Sequence, residues 1–162
     1  MLNTKDKVLH MLFEDARLTP AQIADMIGIP AEEAESIIRN FEKNHTIIGY
    51  KAMIDWDKTD TDRVTALIEV KTTPQKGMGF DEIARQIYSH RQVESVYLMS
   101  GGFDLTVIIT CRTLREVALF VSEQLATMEH VTSTATHFIL KKYKDQGVEF
   151  DPSETDKREV LL

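Results

Sequence analysis

Over the first 60 positions apolar residues recur at helical spacing, and from residue 64 onward strand-like and helix-like segments alternate. Val8, Leu9, Leu12 and Phe13 form an i, i+1, i+4, i+5 stripe that predicts a first helix. Thr19 stands as an N-cap, with Pro20 at the first helical position and Gln22 placed for a capping box. Ile23, Ala24 and Ile27 give this short second helix its apolar face, and Gly28 suits a left-handed exit. A third helix is expected from Pro30 to about Asn44. Its Ala34, Ile38 and Phe41 fall within about 60° of arc, and Glu32, Ser36, Arg39 and Lys43 lie opposite. A short helix, a glycine turn and a longer helix make the helix-turn-helix pattern. The β-branched run from Thr46 to Ile54 predicts a strand or wing that closes this small domain.

Asp55 to Arg63 is polar and rich in turn formers, and is read as a linker. Val64, Ala66, Ile68 and Val70 then alternate with polar or outward positions as one strand. Pro74 to Gly79 is a loop, and Phe80, Ile83, Ala84, Ile87 and Tyr88 mark an amphipathic helix. Val93 to Ser100 is a second strand, Gly101-Gly102 a two-residue hairpin turn, and Leu105, Val107, Ile109 and Cys111 a third strand. Thr113 and Glu116 form a second capping box. The helix it opens has Leu114, Val117, Ala118, Val121, Leu125 and Met128 along one face. Val131 to Tyr143 is a fourth strand. The order β-α-β-β-α-β is the ferredoxin-like split unit, with two helices on one sheet face. Leu67, Ile108 and Phe138 are expected on the other face, which predicts a partner subunit. The fold class is therefore α+β: a winged helix-turn-helix domain at 1–54, a linker at 55–63, a ferredoxin-like βαββαβ domain at 64–144, and a charged arm at 145–162.

Composition narrows the chemistry. The chain has 162 residues and a formal net charge of −7, which argues against non-specific coating of nucleic acid or anionic membrane. A single cysteine, Cys111, excludes an internal disulfide framework and any cysteine-based zinc cluster. No apolar run has the length of a membrane span, and the polar start is unlike a signal peptide, so a cytoplasmic protein without membrane partners is expected. His10, His45, His90, His130 and His137 make no metal-ligand spacing, and Gly77-Met78-Gly79 lacks the rest of a phosphate loop. The expectation is no catalysis, no metal and no cofactor.

This arrangement resembles the Lrp/AsnC family of transcription regulators. Leu18-Thr19, Ile27-Gly28-Ile29, Phe41-Glu42 and Ile48-Gly49-Tyr50 carry the likeness in the first domain. Ser100-Gly101-Gly102-Phe103-Asp104-Leu105 and Thr134-Ala135-Thr136 carry it in the second. The resemblance implies an ACT-like (RAM) second domain, dimers built through its sheets and often assembled into octamers, and an amino acid or related effector. It also implies sequence-specific binding of double-stranded DNA.

Thr19, Gln22, Glu32, Glu35, Ser36, Arg39 and Lys43 are the candidate DNA contacts: basic groups for phosphate or guanine, hydroxyl and amide groups for backbone or bases, carboxylates for cytosine amino groups. The chain departs from the family at Pro30-Ala31, Ile37 and His45. Residues 1–60 carry seven Lys or Arg against eleven Asp or Glu, so a metabolite-binding oligomer with weak or lost DNA binding is the alternative. Ser100, Gly101, Gly102, Asp104, Thr134 and Thr136 are the candidate effector site, with glycine amides for a carboxylate and Asp104 for an ammonium. The plainer reading is that Gly101-Gly102 makes the turn and Asp104 caps it.

Overall fold

The computed structural model describes residues 2–73 and 79–150. Residues 74–78 of the expected loop and the arm from 151 on lie outside the described residues. The chain forms two units, Met1–Met53 and Ile54–Leu162.

The first unit holds three helices, α1 (Thr4–Glu14), α2 (Pro20–Ile27) and α3 (Ala31–Lys43). Asn3 caps α1 by accepting from the Asp6 N–H at 2.9 Å. Val8, Leu12, Ile23, Ala24, Ala34 and Ile38 form the core, with Met11 packed against it. Phe13, expected inside, is 78% exposed. At 100° per residue Phe13 stands about 120° from the midpoint of Val8 and Leu12, whereas Met11 stands about 80° away on the other side. The buried stripe of α1 is therefore Val8, Met11 and Leu12. No strand forms between 46 and 54, so the expected wing is absent as a strand. The segment is anchored at its start by the Ile47 N–H donating to the Phe41 carbonyl at 3.0 Å.

The second unit carries β1 (Val64–Thr72), α4 (Phe80–Tyr88), β2 (Val93–Leu98), β3 (Leu105–Cys111), α5 (Leu114–Phe120) and β4 (Val131–Phe138). Its four strands pair antiparallel in the order β2-β3-β1-β4, the ferredoxin-like order. Ala66, Ile68 and Val70 sit beside Ile109, Val107 and Leu105 on one face. Ile83, Ile87, Val117, Phe120 and Leu125 close the core over that face. Leu67 and Ile108 pair on the other face, as expected. Phe138 does not join them: it pairs with Ala66 and so belongs to the helix-covered side. The alternation of β1 fixes this, because cross-strand partners share a face.

Three further expectations change. β4 ends at Phe138 instead of Tyr143. The helix opened by Thr113 relaxes into a π-helical turn over Val121–Leu125, where the Ala126 N–H reaches the Val121 carbonyl at 2.8 Å. Its buried stripe runs through Val117, Phe120 and Leu125, and Leu114 is exposed. Finally, the start of the expected arm is a small hairpin, β5 (Lys144–Asp145) and β6 (Val148–Glu149). Gln146 and Gly147, both at positive φ (47° and 86°), make its two-residue turn.

Candidate nucleic-acid interface and effector hairpin

The α2–α3 corner is set by local chemistry. Thr19 accepts from the Gln22 N–H at 3.3 Å, and the Gln22 side-chain oxygen accepts from the Thr19 N–H at 2.9 Å. The capping box engages both residues. Gly28 at φ +73° ends α2 in the left-handed region, and the N–H groups of Gly28 and Ile29 donate to the Ala24 carbonyl. The chain thereby turns directly into α3, whose first turn carries Glu32 and Glu33 where the helix dipole favours acids.

On α3, Glu32, Glu35, Ser36, Arg39 and Lys43 are all exposed. At 100° per residue they cover an arc of about 100°, opposite buried Ala34 and Ile38. One polar stripe thus faces away from the core along three turns. The Arg39 guanidinium lies 2.6 Å from Glu35, an i,i+4 ion pair. Glu42 accepts from the Tyr50 hydroxyl at 3.0 Å and ties the chain leaving the unit to α3. Burial and this carboxylate raise the Tyr50 pKa above its ordinary value.

The second candidate site lies at one end of the sheet. Leu98, Leu105, Val70 and Thr134 form a row across all four strands. The hairpin and Thr134 therefore share an end with β1 between them, and Thr136 sits two rows further on, opposite Ile68 on the helix-covered face. The hairpin turn is longer than expected. The Met99 N–H donates to the Asp104 carbonyl at 2.8 Å, so Ser100 to Phe103 make a four-residue loop. Gly101 and Gly102 are not at positive φ, which excludes the two-residue turn types that glycine favours.

Asp104 is an anchor. Its N–H donates to the Val70 carbonyl at 3.1 Å, and one carboxylate oxygen accepts from the Thr72 N–H at 2.7 Å. That N–H stands where β1 slips register against β4, between Lys71 and Thr72. The slip frees a donor from the ladder, and the carboxylate satisfies it. The Thr72 hydroxyl beside it is buried without a hydrogen-bond partner. Sequence reasoning missed Thr72, because nothing in the strand pattern marks a bulge.

Residues 65–149 match the family model described as the Lrp/AsnC ligand binding domain. YugG of Bacillus subtilis, described as an uncharacterized HTH-type transcriptional regulator, is 51% identical over 156 residues, 96% of this chain and 94% of its own. The HTH-type regulator LrpA of Pyrococcus horikoshii is 28% identical over 145 residues, 89% of this chain and all of its own. Among solved structures, AsnC of E. coli has the same fold at a TM-score of 0.70 and 18% identity, covering 90% of this chain and 95% of AsnC. A Neisseria meningitidis regulator in complex with L-Met aligns at a TM-score of 0.73 and 19% identity, covering 90% and 93%. These relatives are regulators, not enzymes. The fold, the paired helices and the matched residues converge: the chain belongs to the Lrp/AsnC family of HTH-type transcriptional regulators.

Proposed function

We propose that the outward stripe of α3 reads double-stranded DNA sequence-selectively, and that copies of the chain pair through the open face of the sheet. The carrying observation is that Glu32, Glu35, Ser36, Arg39 and Lys43 share one exposed arc directly after a left-handed glycine turn. Arg39 and Lys43 serve guanine or phosphate, Ser36 a base edge, and Glu32 and Glu35 cytosine amino groups. Thr19 and Gln22 hold α2 and touch backbone with the groups their capping box leaves free. Half-buried Leu67 and Ile108 support dimers on the sheet's open face, with octamers as assemblies of dimers. A DNA reader of this kind works in the cytoplasm. The domain limits follow the same division: 1–54 reads, 55–63 links, 64–144 assembles and senses.

An amino-acid effector is proposed at the hairpin end of the sheet. The amides of Ser100, Gly101 and Gly102 receive its carboxylate, the second oxygen of Asp104 its ammonium. Thr134, Thr136 and the unpartnered Thr72 hydroxyl supply neutral hydrogen bonds.

Fluorescence anisotropy with duplexes selected from genomic fragments tests the DNA reading. Binding is expected to weaken steeply with salt. No binding at low salt, with or without amino acids, overturns it. The competing reading, a metabolite-binding oligomer with weak DNA affinity, is favoured by the Glu35 carboxylate that occupies Arg39. Glu35→Gln separates them: on a DNA-facing helix it changes binding, because it frees Arg39 for phosphate and gives up the Glu35 contact to cytosine, and on a helix that never meets DNA it changes nothing.

A further inference from the structure

Residues 55–63, expected as a linker, do not run as an open tether. They belong to the second unit and fold back on themselves. Trp56–Lys58 form a turn of 3-10 helix. Asp55 caps it by accepting from the Asp57 N–H at 3.3 Å, and pairs with the Lys58 ammonium at 3.1 Å. Thr59 donates twice to the Trp56 carbonyl, from its N–H at 3.0 Å and from its hydroxyl at 2.8 Å. The same hydroxyl oxygen accepts from the Thr61 N–H at 3.3 Å. The Arg63 guanidinium then lies over the Trp56 ring, 4.4 Å from its centroid, and donates to the Glu94 carboxylate of β2 at 2.6 Å. The two ends of the stretch thus meet.

A closed loop has a different reach from an open chain. A flexible link of nine residues spans about 15–18 Å root-mean-square. That is about half of the roughly 34–36 Å turn of a DNA duplex. Two reading units on such links would accept half-sites displaced by half a turn, whereas a loop with clamped ends supplies almost none of that span. The clamp is also sheltered. The side chains of Arg63 and Glu94 keep 27% and 36% of their exposure, against 75% and 49% for Arg39 and Glu35 on α3. A guanidinium held by a ring face on one side and a carboxylate on another is fixed in direction, which an exposed pair along one helix is not. The arrangement accounts for the chain's single tryptophan standing in an otherwise polar segment.

We propose that Arg63 is a positioning residue for DNA reading. Clamped between Trp56 and Glu94, it holds residues 55–63 on the sheet unit, confines the free joint to the residues before Asp55, and so fixes the half-site spacing that a pair of reading helices accepts. Arg63 acts through the loop, without contact to DNA. The inference rests on the DNA and pairing readings above and adds to them the element that makes the pair selective for spacing.

Dyad-symmetric duplexes selected with the full chain, remade with about five base pairs (half a turn) inserted at the centre, test it by fluorescence anisotropy. Insertion weakens binding of the wild type at least tenfold, and of Arg63→Gln and Trp56→Ala no more than threefold. Trp56→Phe, which keeps a ring face for the guanidinium, follows the wild type. The ratio between the two duplexes is what is read, so a variant that merely loses stability lowers both affinities alike and leaves the ratio unchanged. Emission of Trp56, the only tryptophan, reports the clamp without DNA: Arg63→Gln alters it while the circular dichroism spectrum stays the same. A wild type that binds both duplexes alike, or an Arg63→Gln protein that keeps the tenfold ratio, overturns the positioning role and leaves the DNA reading standing. Absence of binding to any duplex at low salt overturns the DNA reading and the positioning role with it. Unchanged Trp56 emission in Arg63→Gln overturns the clamp itself.

Discussion

The two units achieve stability in different ways. Among the described residues, the sheet unit buries twelve in one cluster, among them Ile68, Ile83, Ile87, Leu105, Ile109 and Leu125 with almost no exposure. The helical unit buries six, and two of those are Ala24 and Ala34. A large aliphatic side chain removed from water contributes about 1.5–3 kcal/mol, and an alanine far less. The helical unit therefore depends on its capping box, its left-handed glycine and close helix approach at its alanines, whereas the sheet unit depends on bulk burial. The charged groups differ in the same sense. On α3 Arg39 is held by a carboxylate one turn away on the same helix, and in the sheet unit Arg63 is held by Glu94 of a separate element, β2.

The largest effects should come from deleting core volume, and the two units should answer differently. Ile68→Ala and Ile23→Ala each remove a fully buried side chain at a cost of about 2–5 kcal/mol. In the small core that loss is a larger fraction of the total. Ile23→Ala is expected to melt the helices at low temperature and abolish DNA binding while dimers persist. Ile68→Ala should lower the main transition and weaken dimers. Calorimetry with size-exclusion chromatography checks both, and equal behaviour of the two variants would remove the contrast.

Next in size is Asp104→Ala, which strips the acceptor from the Thr72 N–H. A hydrogen bond to a charged group contributes about 1.5–3 kcal/mol. Urea denaturation of the sheet unit should register a loss of that order, with Asp104→Asn losing less because an acceptor oxygen remains. No loss with either variant would return Asp104 to a purely ligand-facing role.

These positions also mark how far the residues disclosed the molecule in advance. Strand alternation in Val64–Val70 and Leu105–Cys111 made the sheet legible, because burial on one face forces a period of two. The Thr19–Gln22 box and Gly28 made the α2–α3 corner legible, because each encodes its own geometry. The polar stripe of α3 followed from helical periodicity. Hidden were features in which tertiary context decides among local options. Gly101-Gly102 has the composition of a two-residue turn, yet the Asp104 anchor opens a four-residue loop. Gln146-Gly147 makes the tight turn with a weaker signal, inside a stretch whose charge suggested an arm. Phe13 lost its place to Met11 because helix rotation is fixed by the partner helices.

A smaller effect sharpens the account of the helical corner. Gly28→Ala forces a Cβ into the left-handed region, a cost of about 1–2 kcal/mol, although no atom lies close enough to clash. The loss is therefore conformational, and Gly28→Asn should recover part of it. Thermal melts of the three proteins check this. A full loss in both variants would instead point to packing.

The smallest effect is one of pH. Desolvation first, then the Glu42 hydrogen bond and charge, raise the Tyr50 pKa above 10.0 in the folded chain. The folded state therefore favours the neutral phenol more than the unfolded state does. This stabilisation is fully present below the unfolded pKa and is lost as pH rises through the folded pKa. Between neutrality and pH 9 the tether of Tyr50 to α3 should hold unchanged. Above about pH 10, stability should decline as the phenolate meets the Glu42 carboxylate. Tyr50→Phe removes both the hydrogen bond and the titration, so its stability is expected to start slightly lower and stay flatter across that alkaline window. Melts from pH 7 to 11, compared pairwise at each pH, provide the check. Parallel curves for the two proteins would mean that the phenol and Glu42 are not in contact in solution, and that α3 is not tied to the segment that follows it.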